Sequence, residues 1–326
     1  MRGWIPFRVF WQSGRPMLDW CFLGEQRFTE PFFESTIQSL MLRPFHHVFR
    51  RETPLEEAGD WAAKSPGIPP SGFIFHSSRC GSTLVSRMLA AVDRNVVLSE
   101  PRPVDYILGA HFRHPEVTCE QRAEWFRWMV SALAQPRAGE EDGFFIKFDA
   151  WDIAELPIIR LAFPKTPWIF LYREPLEVFV SLWQKPAGWT FPGAVHPAVV
   201  GMAWDEIRSL RHNEYLARAL GRIYRFGLVH SLGHAGQLVN YRQLPEYVCD
   251  GLLEYCGIRY SGCELDAMRS VTGQYAKSPG DRFTGDSRSK QEAAGDVARQ
   301  LAASWIEPVY RELEAARQFA CASGVR

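Results

Sequence analysis

Phe73-Ile74-Phe75-His76-Ser77-Ser78-Arg79-Cys80-Gly81-Ser82-Thr83-Leu84 is the stretch on which the fold of this chain turns. It opens with a short apolar run of strand character. A tight polar turn holding one glycine follows, and Leu84, Val85, Met88, Leu89 and Val92 then recur at helical spacing. A strand that turns sharply into a helix N-terminus collects free backbone N–H groups and the positive end of the helix dipole at one point, which makes an anion cradle. Ser82 and Thr83 add hydroxyl donors, and Arg79 adds a fixed positive charge two residues before Gly81. An ordinary helix cap explains Ser82 or Thr83 but not that arginine. A nucleoside triphosphatase loop would read G-x-x-x-x-G-K-[ST]. No Gly-Lys pair occurs anywhere in this chain, so the magnesium-binding logic of that motif is missing.

Downstream, the chain alternates. Val96–Leu98, Phe144–Phe148, Trp168–Tyr172 and Leu238–Asn240 read as further short strands. Helices are expected over 84–92, 120–135, 151–163 with an interruption near Pro157, 176–184, 201–221, 245–256 and 291–320 with a kink at Pro308. Such alternation implies right-handed crossovers and a mostly parallel sheet. The expected class is α/β: a three-layer P-loop-like domain with a mostly parallel central sheet flanked by helices, over residues 71–326. Residues 1–70 form a separate aromatic-rich segment, an appendage or an extension of the core. Alternation in Met17–Phe22 suggests short strands near Gly14 and Gly24, and 34–50 reads as one amphipathic helix broken at Pro44. SPGIPPSG at 65–72 marks the boundary.

With 326 residues, 46% of them apolar, the chain can bury a sizeable core. Its formal net charge is zero, which argues against a nucleic-acid partner bound through a general basic face and makes any anion site a local one. Seven scattered cysteines give neither a disulfide framework nor zinc spacing, and read as buried thiols of a reducing compartment. No apolar run reaches membrane-spanning length and the N-terminus lacks a signal-peptide core, so a cytoplasmic protein with no membrane span is the expectation.

A second motif occupies Trp168–Trp183. A strand delivers Arg173 to the carboxyl edge of the sheet, Pro175 opens a helix, and Ser181 lies two turns along it. Taken alone, Arg173 is explained as well by pairing with Glu174 or Glu177. Together, Ser78-Arg79-Cys80-Gly81-Ser82-Thr83-Leu84 and Arg173-Glu174-Pro175…Ser181 resemble the two donor-binding segments of the sulfotransferase family, over roughly residues 72–260. That resemblance implies the co-substrate PAPS (3′-phosphoadenosine 5′-phosphosulfate) and no metal. It implies donor contacts from Arg79, Cys80, Gly81, Ser82, Thr83 and Leu84 at the phosphosulfate end, and from Arg173 and Ser181 at the 3′-phosphate. It places Tyr241 near the adenine. Ser78 and Cys80 depart from the family's proline and serine, and Arg242 and Gln243 replace two acids after Tyr241. Lys277–Arg282 matches the family's late basic loop.

Sulfuryl transfer requires in-line attack, stabilisation of charge on the transferring oxygens and a base for the acceptor proton. Arg79 suits the electrostatic role, since a guanidinium stays charged. Glu100, at the end of the next strand, is the candidate base; the competing reading pairs it with Arg102 or Arg94. His76 reads as a core histidine, while His111 and His114 are loop competitors for the base. The loop Lys185–Gly193, with Trp189, is a candidate lid over the acceptor. The acceptor is a small molecule, carbohydrate or lipid bearing a hydroxyl or amine, and the oligomeric state is open. Two other readings compete: a P-loop-like kinase or nucleotide hydrolase, and a catalytically silent nucleotide-binding protein.

Overall fold

Five short runs, each about half phenylalanine, isoleucine, valine or leucine, are too apolar to leave either face in water, and in the computed structural model they form a sheet covered on both sides. The structure describes residues 3–234, 236–273 and 287–323; Lys277–Arg282 lies outside them. The strands are β4 (Gly72–His76), β5 (Asn95–Ser99), β6 (Gly143–Lys147), β7 (Trp168–Tyr172) and β8 (Gln237–Asn240), in the order β5-β6-β4-β7-β8 and parallel throughout. The pleat sends alternate residues to opposite faces. Phe73 and Phe75 pack on one side against Phe126, Phe148 and Trp168, while Ile74 joins Val85, Met88, Leu89, Ile169 and Leu171 on the other. These two buried clusters make the three-layer α/β architecture that the sequence implies.

An antiparallel sheet precedes this one: β1 (Trp4–Gln12), β2 (Arg15–Phe22) and β3 (Arg51–Pro54), in that order. The β1–β2 turn is Ser13-Gly14, both at positive φ (51° and 78°), the signature of a tight two-residue hairpin. Ile5, Val9, Leu18 and Trp20 belong to the same buried cluster as Phe73, Phe126 and Phe148. β3 was absent from the sequence reading, because four residues with two charges carry no period that distinguishes a strand.

Several helices are divided or bounded differently from what periodicity suggests, while the expected break at Pro44 is present. Residues 34–50 divide into Phe33–Met41 and Pro44–Val48, and 201–221 resolves into Trp204–Ser209 and the long helix His212–His234. The expected helix over 291–320 is three: Ser287–Glu292, Asp296–Trp305 and Glu307–Ser323, with the last break at Ile306 and Pro308 in the first turn of the new helix, where its missing N–H costs nothing. The cysteines also differ from expectation. All seven are free, but only Cys21 and Cys80 are buried; Cys119, Cys263 and Cys321 are exposed.

Candidate active site

In a parallel sheet the ligand cleft lies beyond the carboxyl ends of the strands, at the point where successive connections leave in opposite directions. Here that point is β4, whose chain leaves toward β5 and β6 on one side while β7 and β8 lie on the other. A cavity of about 790 Å³ sits there, and every strand end contributes to it. His76, Ser78 and Arg79 follow β4, Glu100 follows β5, Asp149 follows β6, Arg173 follows β7, and Asn240 and Tyr241 end β8.

The turn after β4 is unusual in its backbone. Ser78 (φ 68°), Arg79 (φ 49°) and Gly81 (φ 88°) are all left-handed, and so is Glu100 (φ 55°). Non-glycine residues in that region cost of order 1–3 kcal/mol each and gather where the surroundings force them. Such a backbone turns successive N–H groups toward one concave point, a nest for an anion. Three contacts hold it. The Ser77 N–H donates to Leu171 O (2.9 Å), the Ser78 N–H donates to His76 Nδ1 (3.0 Å), and Cys80 Sγ lies 3.1 Å from Leu171 O. Gly81 has a second reason to be glycine, since a Cβ there would lie 2.7 Å from Leu244 Cδ1 and 3.0 Å from Tyr241 Cδ2.

Arg79, Gly81, Ser82, Thr83, Leu84, Glu100, Arg173, Ser181 and Tyr241 all line the one cavity. The Cys80 side chain does not: it is fully buried in the core cluster under the loop, where burial pushes its thiol pKa up. Arg79 Nη2 donates to Lys185 O (2.8 Å), which ties the loop after Pro175–Gln184 to the anion turn. Ala187 and Trp189 of that loop line the cavity, and Trp189 is buried rather than presented as an open platform.

Arg173 is almost wholly buried. Its Nε donates to Glu177 Oε2 (2.6 Å), and its guanidinium lies over the Tyr241 ring, 4.1 Å from the centroid. Pairing and cavity lining, which the sequence offers as alternatives, therefore coexist. Tyr241 acts as the floor beneath the arginine. The residues after it form a capping box, with Arg242 N–H donating to Asn240 Oδ1 (2.9 Å) and Asn240 N–H donating to Gln243 Oε1 (2.8 Å).

Glu100 has partners that sequence reasoning missed. Arg94 is committed to Asp142 and Glu264, at 2.7 Å each. Instead, Lys147 Nζ, at the end of β6 and 1% exposed, donates to Glu100 Oε1 at 2.6 Å, and His76 Nε2 lies 3.5 Å from the same oxygen. Burial alone would raise the Glu100 pKa, but the Lys147 charge, with His76, overrides it and holds the carboxylate well below its ordinary range. The Ser78 N–H bond to His76 Nδ1 leaves the ring proton on Nε2, facing Glu100. His76 is thus buried, as expected, yet lines the cavity. The β5–β6 register makes this contact, since Lys147 is the Cα partner of Ser99, next to Glu100, and no local sequence signal announces it.

His111 and His114 do not line the cavity. His111 Nε2 lies 3.9 Å from Glu155, and His114 stacks on Trp11 at 3.6 Å. Sequence spacing does not bring three further carboxylates together, but the fold does: one oxygen from each of Asp105, Asp149 and Asp152 lies within 4.8 Å of the others. Trp151 Nε1 donates to Asp105 Oδ1 (2.7 Å), and burial, reinforced by the neighbouring carboxylates, raises Asp149 and Asp152 well above the usual range. Around this end of the cavity stand Phe32, Trp151 and Trp189, the first supplied by the N-terminal segment. The Lys147 ammonium lies 5.0 Å from the Phe32 ring centroid.

No family model matches the chain, and no curated protein matches it. The chain is similar to solved sulfotransferases. It shares 11% identity with sulfotransferase STF9 from Mycobacterium avium, over 78% of this chain and 80% of that one, with a TM-score of 0.46. It shares 12% identity with sulfotransferase STF1 from Mycobacterium tuberculosis H37Rv, over 77% and 81%, with a TM-score of 0.43. For the sulfotransferase domain of the olefin synthase of Synechococcus PCC 7002 the identity is 16%, over 73% and 95%, with a TM-score of 0.39.

Proposed function

We propose that this protein is a sulfotransferase, moving the sulfuryl group of PAPS onto a hydroxyl or amine of a small-molecule, carbohydrate or lipid acceptor. The observation that carries this reading is convergence. A strained anion loop, a buried arginine–tyrosine platform and a lysine-held carboxylate meet in one cavity although more than 160 positions of sequence separate Arg79 from Tyr241.

The residues present suit such a donor. The cavity volume falls in the range of roughly 300–1,000 Å³ typical of ligand sites. Arg79, Arg173, Arg242 and Lys290 line it, against Glu174, Glu177, Glu100 and Asp149. Of these carboxyls, Glu177 is neutralised by Arg173 and Glu100 by Lys147. In this reading the backbone N–H groups of 80–83, the hydroxyls of Ser82 and Thr83 and the charge of Arg79 hold the phosphosulfate end, while the Leu84 N–H is taken by Gly81 O (2.9 Å). Arg173 and Ser181 hold the 3′-phosphate, with Tyr241 keeping the guanidinium plane in position.

Transfer forms a bond between the acceptor oxygen or nitrogen and sulfur, and breaks the bond between sulfur and the 5′-phosphate oxygen. The acceptor proton passes to Glu100. The leaving phosphate carries the negative charge that the anion loop and Arg79 are placed to stabilise. Lys147 does not line the cavity and acts through Glu100, so it is a positioning residue. A carboxylate with a depressed pKa is a weak base, which suits a reaction whose proton leaves late, as in loose phosphoryl transfer.

One observation favours a kinase-like alternative: Asp149 stands at the end of the strand beside β4, in the three-aspartate cluster. Calorimetry separates the two. Micromolar or tighter binding of the product nucleotide PAP, unchanged by EDTA, is expected. Absence of PAP binding, with binding of ATP–Mg²⁺ instead, would replace the sulfotransferase reading with the kinase-like one.

A further inference from the structure

The N-terminal segment carries an apolar corner that the site does not use. Between the helices Phe33–Met41 and Pro44–Val48 and the start of β3, the chain exposes Leu42 (83%), Val48 (72%) and Phe49 (56%), with Phe45 and Phe22 partly exposed beside them. The rings are contiguous: Phe45 lies 4.9 Å from Phe49, 5.7 Å from Phe22 and 6.2 Å from Trp4, centroid to centroid. Monomeric soluble proteins scatter exposed apolar side chains singly, and a contiguous patch marks a surface that something covers.

The charges around the patch say what covers it. Residues 42–51 contain Arg43, Arg50 and Arg51 and no carboxylate. All three arginines are exposed, and Arg51 sits opposite Trp20 in the β2–β3 ladder, two residues from Phe22. Arg50 is paired with Asp19 (2.5 Å) and Glu52 (3.4 Å), so Arg43 and Arg51 are the cations that flank the patch. Aromatic and aliphatic side chains ringed by arginine suit the boundary between anionic headgroups and acyl chains, where rings enter the interface and guanidinium groups meet phosphate. A second copy of the chain fits poorly, because a two-fold contact would bring each arginine rim against its own like charges.

We infer that Phe22, Leu42, Phe45, Val48 and Phe49, with Arg43 and Arg51, form a docking surface for an anionic lipid bilayer. Phe32 lines the cavity and the helix that starts beside it ends at the patch, so the docked membrane lies about one nine-residue helix, roughly 14 Å, from the active site. Docking is independent of the reaction the cavity performs.

Co-sedimentation of the full chain with two vesicle types tests this, one of phosphatidylcholine alone and one of phosphatidylcholine with phosphatidylglycerol. Binding is expected to the anionic vesicles and not to the neutral ones, and to weaken as salt rises. The Leu42→Ser/Val48→Ser/Phe49→Ser variant, altered only at exposed positions, is expected to bind more than about tenfold more weakly. Arg43→Glu/Arg51→Glu leaves the apolar patch intact and is expected to weaken binding by roughly fivefold or more per arginine, flattening the salt dependence. Equal binding to both vesicles, no binding to either, or undiminished binding by both variants would overturn the inference. So would a dimer in sedimentation velocity that the serine variant dissolves while vesicle binding is absent.

Discussion

Glu100 is where the proposed chemistry meets the electrostatics of the cavity. Lys147 and His76 share its Oε1, and its backbone is held left-handed. Glu100→Gln removes the proposed proton acceptor while keeping shape, and should lower kcat by about a hundredfold or more with PAP affinity nearly unchanged. Normal turnover in that variant would place the base elsewhere. Lys147→Met makes the complementary test. Without the ammonium, burial dominates and the Glu100 pKa rises, so the acid limb of the kcat profile should move up in pH, a shift that lost packing alone would not produce. Arg173 needs a different design. Arg173→Ala removes the guanidinium paired with buried Glu177, and breaking a buried ion pair from one side costs roughly 3–5 kcal/mol of stability irrespective of ligand. The double variant Arg173→Met/Glu177→Gln removes both charges. It should keep most of the stability, read by denaturant melts, and lose PAP binding, read by calorimetry. Retained PAP affinity would remove Arg173 from the 3′-phosphate role.

The loop after β4 shows what local sequence specifies and what it cannot. A glycine before Ser82 and Thr83 announces a turn into a helix, and the strand–loop–helix lies where the pattern puts it, with the helix beginning at Ser82. The left-handed backbone at Ser78 and Arg79 has no such signature, because neither residue type favours it; contacts from His76 and Leu171 impose it. Lys147 was similarly silent. It stands inside the apolar run Phe144–Phe148 with no motif around it, and only the β5–β6 register brings it to Glu100. Gly81→Ala follows from the loop geometry. The added methyl meets Leu244 and Tyr241, and the backbone remains at a φ that alanine disfavours, so a loss of about 1–3 kcal/mol is expected together with weakened PAP binding. Wild-type stability and affinity in that variant would mean the loop relaxes freely, which its contacts oppose.

At the scale of the whole molecule the open matter is whether residues 1–70 are part of one cooperative unit. Composition marks them off by their aromatics, and the prolines at 65–72 suggest a boundary, but composition does not say against what those aromatics pack. Leu18 and Trp20 lie in one buried cluster with Phe73, Phe126 and Phe148, and Phe32 reaches the cavity wall. The polar framework agrees, with Arg27 Nη2 donating to Ala90 O at 2.8 Å and Gln135 Nε2 donating to Ser65 O at 2.9 Å. We propose a core extension rather than an appendage. Leu18→Ala tests it without amputating the segment. A fully buried leucine truncated to alanine costs about 2–5 kcal/mol, according to how far the site collapses. If the segment folds with the sheet, that loss appears in a single denaturant transition, and near-ultraviolet signals from the whole chain move together. A first transition shifted by the mutation and a second one untouched by it, with PAP still bound between them, would show that residues 71–326 stand alone. Deletion of residues 1–65 gives the same contrast by solubility: an insoluble product is expected, because His114 and Trp125 would lose the cover of Trp11 and meet water.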